Sequence, residues 1–364
     1  VFPKLVKFVE GVNKSALVPN RPAVSIRLRI GLLEVTRQLE LDQAQNYLSQ
    51  ASTMARHDEY CPVVLISDED QALAQSFESI KAFDRIDSIT LDETFFLVMQ
   101  PIVPIDDASK KLKFEMLLRM RSESGGLIRP DKFIPAAEEA GIMNRIDRWV
   151  LETSLNLLDE HPRLCEEIDL ITVNLSGSSL NDPIFVDELM QTLRKRAHLA
   201  SKLCLEITES VALNDIERTR TILESMQLLG VKVALDDFGS GYTGWGYLQH
   251  LPADILKLDG SIIRDCLSRS VDRLIIKSAV ELAGELGMKC VAEMAETQET
   301  VVLLQALGVD YIQGYYFSKP LEVAEVISHE RDLKQLLLSR VPGLPESQAT
   351  PTTSVAAKAH IADA

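Results

Sequence analysis

The chain lacks the raw material for a disulfide framework. Its five cysteines, Cys61, Cys165, Cys204, Cys266 and Cys290, are odd in number, widely spaced and free of any C-x-x-C pair. Neither a disulfide framework nor a thiolate zinc site is suggested, and a reducing, cytoplasmic compartment fits. Basic charge is also short: the formal net charge is -16. Binding a nucleic acid polymer through its backbone needs clustered Lys and Arg to displace counterions, so that class is set aside. An anionic substrate would need local help from a metal or a few placed cations. No run approaches the ~18 apolar residues of a membrane span, and the start lacks the basic and apolar regions of a signal peptide. The chain begins at Val1 rather than Met. It is therefore read as a piece of a longer protein, with sensory or membrane-anchoring domains expected upstream.

What is present suffices for a large core. At 364 residues and 46% hydrophobic composition, one large α/β domain plus a smaller unit is expected. Residues 1–90 read as a small α+β unit with a connector helix. Alternating Val24, Ile26, Leu28 and Ile30 suggest a strand, Leu41–Ala55 has helical spacing, Val63–Ile66 is a short buried strand, and Gln71–Asp87 suits the connector. This unit carries no glycine-rich phosphate loop, no paired carboxylates and no His cluster. Residues 91–339 form the main domain, and residues 340–364, rich in Pro, Ser, Thr and Ala, read as a disordered tail.

The main domain centres on Val231–Tyr242, V-K-V-A-L-D-D-F-G-S-G-Y, where a β-branched run delivers Asp236 and Asp237 to a glycine-broken loop. Three junctions share one design: Leu229-Gly230, Leu286-Gly287 and Leu307-Gly308 each end a helix and open a strand. A polar residue follows at the end of each strand: Asp236, Glu293 or Gln313. The helix before the second junction places Val271, Leu274, Ile275, Ser278, Ala279, Leu282, Ala283 and Leu286 on one apolar stripe. Earlier strands present Glu115 within Lys113–Leu118, Asn174 within Leu170–Leu175, Glu206 within Leu203–Ile207 and Lys257 within Ile255–Leu258. About eight strands alternating with helices predict a parallel, TIM-type (β/α)8 barrel. An open doubly wound sheet is the alternative, but it concentrates ligand groups at one switch point rather than along many strands.

Glu115, Asn174, Glu206, Asp236, Asp237 and Glu293 would bring many oxygen donors to one barrel rim. So many acids raise one another's pKa unless a cation neutralises them. Hard ions such as Mg²⁺ or Mn²⁺ suit these donors, and adjacent aspartates can bridge two ions ~3.5–4 Å apart. Lys257 could orient a water or neutralise developing charge, and Arg119 could grip a phosphate with two donors. The set predicts metal-dependent phosphodiester hydrolysis. Taken singly, several of these residues have plainer readings: Glu115 as an outward strand residue, Asn174 as a strand end, the aspartate pair as a solvated turn.

Eight motifs then occur in order: Q-P-I-V at 100–103, E-M-L-L-R at 115–119, G-G-L-I-R-P-D-K-F-I-P at 125–135, V-N-L-S at 173–176, E-I-T-E-S at 206–210, D-D-F-G-S-G-Y at 236–242, L-K-L-D at 256–259 and Q-G-Y-Y-F at 313–317. Together they resemble the EAL-domain cyclic di-GMP phosphodiesterases, modified TIM barrels that hydrolyse the cyclic dinucleotide to linear pGpG with Mg²⁺ or Mn²⁺. The resemblance implies that Glu115, Asn174, Glu206, Asp236 and Asp237 are metal ligands for one or two ions. It makes Glu293 the general base or a further ligand and Lys257 the water-orienting lysine. Gln100, Leu117, Arg119 and Gln313 fall at substrate-contacting positions, and Glu209 and Glu296 at loop-stabilising ones. A homodimer is also implied. The sequence departs from the family at Met116, in E-M-L for E-A-L, at Trp245 in the loop after the aspartates, and at Met294, where E-M-A-E stands for E-G-V-E. Glycine allows a backbone conformation that methionine resists. A receptor that binds cyclic di-GMP without hydrolysis is therefore the alternative function. Residues 1–90 faintly resemble part of a GGDEF unit but lack its signature, so no cyclase activity is expected.

Overall fold

The computed structural model describes residues 94–105, 111–121, 126–239 and 245–342, and in the N-terminal part residues 9, 29–34, 48, 51–52, 63–67 and 91–92. The expected connector at 71–87, the strand residues 24–28 and the tail beyond 342 lie outside the described residues. The chain divides into two compact units, Val1–Phe95 with Met120–Ile142, and Phe96–Arg119 with Met143–Ala364.

In the first unit, β1 (Ile30–Glu34) pairs in parallel with β2 (Val63–Ser67), joining Ile30 to Val63 and Glu34 to Ser67. The second expected strand is in place, and of the first the described residues include Ile30, which opens β1. Further along this unit, the helix Pro130–Glu139 starts on a proline, whose fixed φ suits a first turn. Its Phe133 packs on Phe95 with ring centroids 5.5 Å apart.

The second unit is a closed barrel. Its strands are β3 (Phe95–Pro104), β4 (Lys113–Arg121), β6 (Ile171–Asn174), β7 (Leu203–Thr208), β8 (Lys232–Phe238), β9 (Ile255–Leu258), β10 (Lys289–Ala292) and β11 (Tyr311–Gln313). A two-residue β5 (Leu127–Ile128) extends the end of β4, and β12 (Leu321–Glu322) lies against β3. Pairing runs in order from β4 through β11, β11 meets β3, and β3 meets β4, so no edge is left in the ring. The pairs from β4 to β11 are parallel, but β3 runs antiparallel to β11. The expected barrel is therefore present with its first strand reversed.

Parallel strands with both faces covered read as nearly unbroken apolar runs. Hence I-L-K-L of β9 is buried at every position, its lysine included. The crossover helices are α1 (Met143–Glu160), α2 (Pro183–Lys195), α3 (Ile216–Gln227), α4 (Ser270–Glu285) and α5 (Gln298–Ala306). Between β8 and β9 the described chain has only the short 3-10 turn Trp245–His250. The stripe expected on α4 is corrected. Its buried face is Asp272, Ile276, Ala279 and Ala283, while Val271 and Leu274 are 59% and 64% exposed. The helix is rolled so that two alanines face inward, which lets the backbone approach the sheet. Asp272 enters with them, held near Arg269 at 3.5 Å. No helix among the described residues is long and apolar enough to cross a membrane.

The three helix-to-strand glycines adopt left-handed φ values of 95° at Gly230, 75° at Gly287 and 86° at Gly308. A Cβ at Gly287 would meet nothing within 4 Å. Gly287→Ala therefore isolates backbone strain from crowding, and it is expected to lower stability by about 1 kcal/mol. Denaturant unfolding with an unchanged midpoint would contradict this.

Candidate active site

Strand alternation builds the site in layers. A buried apolar layer inside the barrel contains Ile102, Cys204, Ala234, Ile255, Val291 and Tyr311. Two residues further along β7 to β11 stand Glu206, Asp236, Lys257, Glu293 and Gln313. On reversed β3 the step runs backwards, from Ile102 to Gln100. A two-residue step returns to the same face, so the polar residues form the next layer, at the rim where the parallel strands end. Lys113, two residues before Glu115, lies below it, with Nζ 4.5 Å from the Tyr311 ring centre and an ion pair to Asp169.

Lys257 is the hub. Its Nζ is 2.7 Å from Glu293 Oε1, 2.9 Å from Glu206 Oε2, 3.2 Å from Asp236 Oδ1 and 3.7 Å from Glu115 Oε2. An amide chain supports the acids. Asn174 Nδ2 donates to Glu115 Oε1 at 2.8 Å, and Gln313 Nε2 donates to Glu115 Oε2 at 2.6 Å and to Gln100 Oε1 at 3.1 Å. Gln100 Nε2 in turn donates to the Ser318 carbonyl at 3.3 Å. Gly314 follows Gln313 because a Cβ there would collide with the Ala295 backbone. The loops after β10 and β11 can thus lie together, with the Ala295 N–H donating to the Gln313 carbonyl.

The aspartate pair is set by a bulge. The β8–β9 register shifts between Leu235 and Phe238, and Asp237 has φ 60°. Such irregularities recur beside functional sites because they re-aim side chains. Asp236 is buried and joins Lys257, whereas half-buried Asp237 donates its N–H to Asp236 Oδ1 at 2.9 Å.

A cavity of about 280 Å³ opens over this layer, lined by Gln100, Glu115, Asp236, Glu293, Met294, Glu296, Gln313, Gly314 and Tyr315. Leu117, Arg119, Asn174, Glu206, Glu209, Asp237 and Lys257 are not among its lining residues. Arg119 is half-buried, with Nη1 on the Leu118 carbonyl at 2.9 Å. Glu209 is buried at the exit of β7, and burial together with its charge raises the Tyr247 phenol above its ordinary pKa. That couples the β7 exit to the turn that precedes β9. Glu296 is exposed and lines the cavity. Sequence reasoning did not single out Tyr315, whose signal was its place within Q-G-Y-Y-F.

Charge is unbalanced, with four carboxylates around one ammonium. Burial tends to lower Lys257, but Asp236, Glu115, Glu206 and Glu293 hold it well above the usual lysine value. Burial pushes Glu206 up to about 8 despite Lys257, and Glu115 and Asp236 add to the rise. Glu293 is raised well above its ordinary value, also by burial. Burial works the same way on Glu115, yet Lys257, Gln313 and Asn174 outweigh it and keep that group below the normal range. Glu206 Oε1 and Gln313 Oε1 are buried without a hydrogen-bond donor.

Among the described residues no three His, Cys, Asp or Glu groups are already spaced as a metal shell; Nζ of Lys257 sits between the acids instead. The donor set is nevertheless all oxygen, negative and partly orphaned, which fits a hard divalent cation.

A pH dependence follows. Unfolded Glu206 releases its proton near 4.5, whereas folded Glu206 keeps it to about 8. Folding takes up a proton across that window, so this contribution to stability declines as pH rises. Glu293 acts in the same sense, and Glu115 acts below the window. Metal-free protein is expected to melt several degrees lower at about pH 8.5 than at about pH 6. Calorimetry in EDTA checks it, and an equal or higher melting temperature at the upper pH would refute it.

Comparisons with known proteins agree with this architecture. The family profile for the EAL domain matches residues 86–320. The chain is 35% identical over 258 residues to "Cyclic di-GMP phosphodiesterase PdeF" of Escherichia coli (strain K12), a match covering 71% of this chain and 34% of that protein. It is 33% identical over 254 residues to "Cyclic di-GMP phosphodiesterase NbdA" of Pseudomonas aeruginosa, covering 70% and 32%. The chain thus spans about a third of the length of these relatives. Among solved structures, "PaMucR Phosphodiesterase, c-di-GMP complex" is 31% identical with TM-score 0.61, covering 68% of this chain and 99% of that one. The FimX EAL domain from Pseudomonas aeruginosa bound to c-di-GMP is 26% identical with TM-score 0.58, covering 70% and 96%. With the family profile matched over most of the chain and the barrel closed around the motif residues, this chain belongs to the EAL-domain family.

Proposed function

We propose that the chain hydrolyses cyclic di-GMP to linear pGpG. The observation that carries this reading is the convergence of Glu115, Glu206, Asp236 and Glu293 on Lys257 at the barrel rim; the names of the relatives supply the substrate. Glu115, Asn174, Glu206, Asp236 and Asp237 would hold a divalent cation, Mg²⁺ or Mn²⁺, as one ion or two. Bound there, it supplies Lewis-acid charge to the phosphate oxygens and acidifies a bound water.

The protein's own groups supply positioning and proton transfer. Glu293 has its pKa raised by burial, which makes its carboxylate a better proton acceptor near neutral pH. It takes a proton from the attacking water as that oxygen bonds to phosphorus and the P–O3′ bond breaks; the departing 3′-oxygen takes a proton from solvent, giving a 5′-phosphate on one guanosine and a 3′-hydroxyl on the other. Lys257, held charged, orients that water and offsets charge growing on the phosphate. The Gln100–Gln313 amide pair fixes Glu115 and offers hydrogen bonds to the substrate. Arg119 serves a phosphate oxygen, Leu117 contacts the substrate, and Glu209 and Glu296 hold loops.

Purified protein incubated with cyclic di-GMP and Mg²⁺ or Mn²⁺ is expected to yield pGpG. Intact dinucleotide under both metals would overturn the proposal. One observation favours a second reading, a receptor without turnover: Met294, beside the proposed base, is a non-glycine residue at φ 52°. Tight binding by calorimetry with no pGpG formed would select it.

A further inference from the structure

Met294 combines three features that packing alone does not explain. Its φ of 52° lies in the left-handed region, where a side chain other than glycine is strained. Strained residues that persist in clefts point to function when the surroundings hold them in place. Here the surroundings are Gly260, which opens the helix Gly260–Arg264 just after β9. A Cβ at position 260 would collide with Sδ and Cγ of Met294, so the glycine forms a seat for the thioether. Yet Met294 remains 48% exposed, and its free part lines the cavity beside Glu293.

The rest of that cavity is carboxylate and amide, except for Tyr315, which is 56% exposed on the same lining. Met294 and Tyr315, the latter with Lys319 Nζ 5.9 Å from its ring centre, give this polar pocket two large side chains with apolar surface open to it, the lining a ligand site uses beside its polar groups. Their chemistry suits a flat, π-rich ring: a thioether is polarisable and packs well against aromatic faces, and a phenol ring offers a second apolar surface. We propose that Met294, seated on Gly260, is a specificity-determining residue that contacts a nucleobase of the substrate. This rests on the cyclic di-GMP reading and adds a base subsite to it. A thioether donates no strong hydrogen bond, so it selects for the presence and face area of a base.

The test is calorimetric binding of cyclic di-GMP in EDTA, where no turnover intervenes. Met294→Gly is expected to weaken Kd about tenfold and Met294→Leu to stay within about threefold. Gly260→Ala fills the seat, displaces the thioether and should weaken binding similarly. The double variant should bind no worse than Met294→Gly alone, since both changes remove one contact. Met294→Gly carries a residue suited to φ 52°, so its folding is not at risk. Equal Kd for Met294→Gly and the unaltered chain would overturn the base contact alone, and additive losses in the double variant would do the same. No binding by the unaltered chain would overturn the cyclic di-GMP reading together with the inference.

Discussion

Lys257→Met is expected to remove turnover and to destabilise the barrel by about 3–5 kcal/mol, the usual effect of stripping one partner from a buried ion cluster. At this domain size that corresponds to a fall in melting temperature of roughly 10 °C. Methionine nearly matches the lysine stem in volume, so little cavity is created and the loss reports on charge. The ammonium is 1% exposed with four carboxylates within 3.7 Å. Without it, Glu206 and Glu293, already raised by burial, would hold protons to still higher pH, and Glu115 would lose its main stabilising charge. The defect should therefore grow from about pH 6 to about pH 8.5 in EDTA and shrink when millimolar Mg²⁺ supplies replacement charge. Thermal melts over that grid check the result. A loss independent of both pH and Mg²⁺ would assign Lys257 a packing role instead.

Much of this centre was legible in the sequence because of a covalent regularity. Strand residues two apart share a face, so polar residues punctuating apolar strands mark a common layer once the strands close into a barrel. Glu206 in L-C-L-E-I and Lys257 in I-L-K-L were visible for that reason, and the glycines after Leu229, Leu286 and Leu307 marked where helices stop. Periodicity has no sign for strand direction, so the reversal of β3 was not visible. That reversal explains how Gln100, near the middle of β3, reaches the same rim as Gln313, which ends β11. The roll of α4 was hidden because the apolar pattern found Ala279 and Ala283 but drew the face through Val271 and Leu274, and no hydrophobic pattern places the charged Asp272 inward. The proposed shell around a metal was expected from donor chemistry, but pattern gives no distances and could not reveal that Lys257 stands amid the acids. Met294 was flagged by its departure from glycine, and its φ of 52° supplies the physical reason that glycine suits the position.

The second large effect is expected from Glu115→Gln, which should reduce kcat by about 10³ or more while changing stability by only about 1–2 kcal/mol. The two outcomes separate because this carboxylate is held by different forces from Glu206. Both its oxygens accept amide hydrogen bonds, Oε1 from Asn174 at 2.8 Å and Oε2 from Gln313 at 2.6 Å, and its pKa lies below the ordinary value. It is thus kept ionised where Glu206 and Glu293 are pushed toward the protonated form, and the ionised state is the one that would hold a cation. Glutamine keeps the shape but turns one acceptor into a donor, which must face the amide of Asn174 or Gln313. A flip of Gln313 would relieve the clash, since its Oε1 has no donor at present, but it would present that oxygen to Gln100 Oε1, now 3.1 Å from Nε2. Turning Asn174 instead lets its Oδ1 accept from the new amide in place of the bond its Nδ2 now donates, which keeps the stability change modest. Removing a negative charge also relieves repulsion with Glu206, limiting the loss further. The catalytic term has no such offset: a neutral amide binds a hard dication weakly, so the Mg²⁺ concentration for half-maximal rate should rise along with the fall in kcat. Rates measured across a Mg²⁺ titration, beside a denaturant melt, test both halves. Near-normal kcat with unchanged Mg²⁺ dependence would displace Glu115 from the proposed metal site.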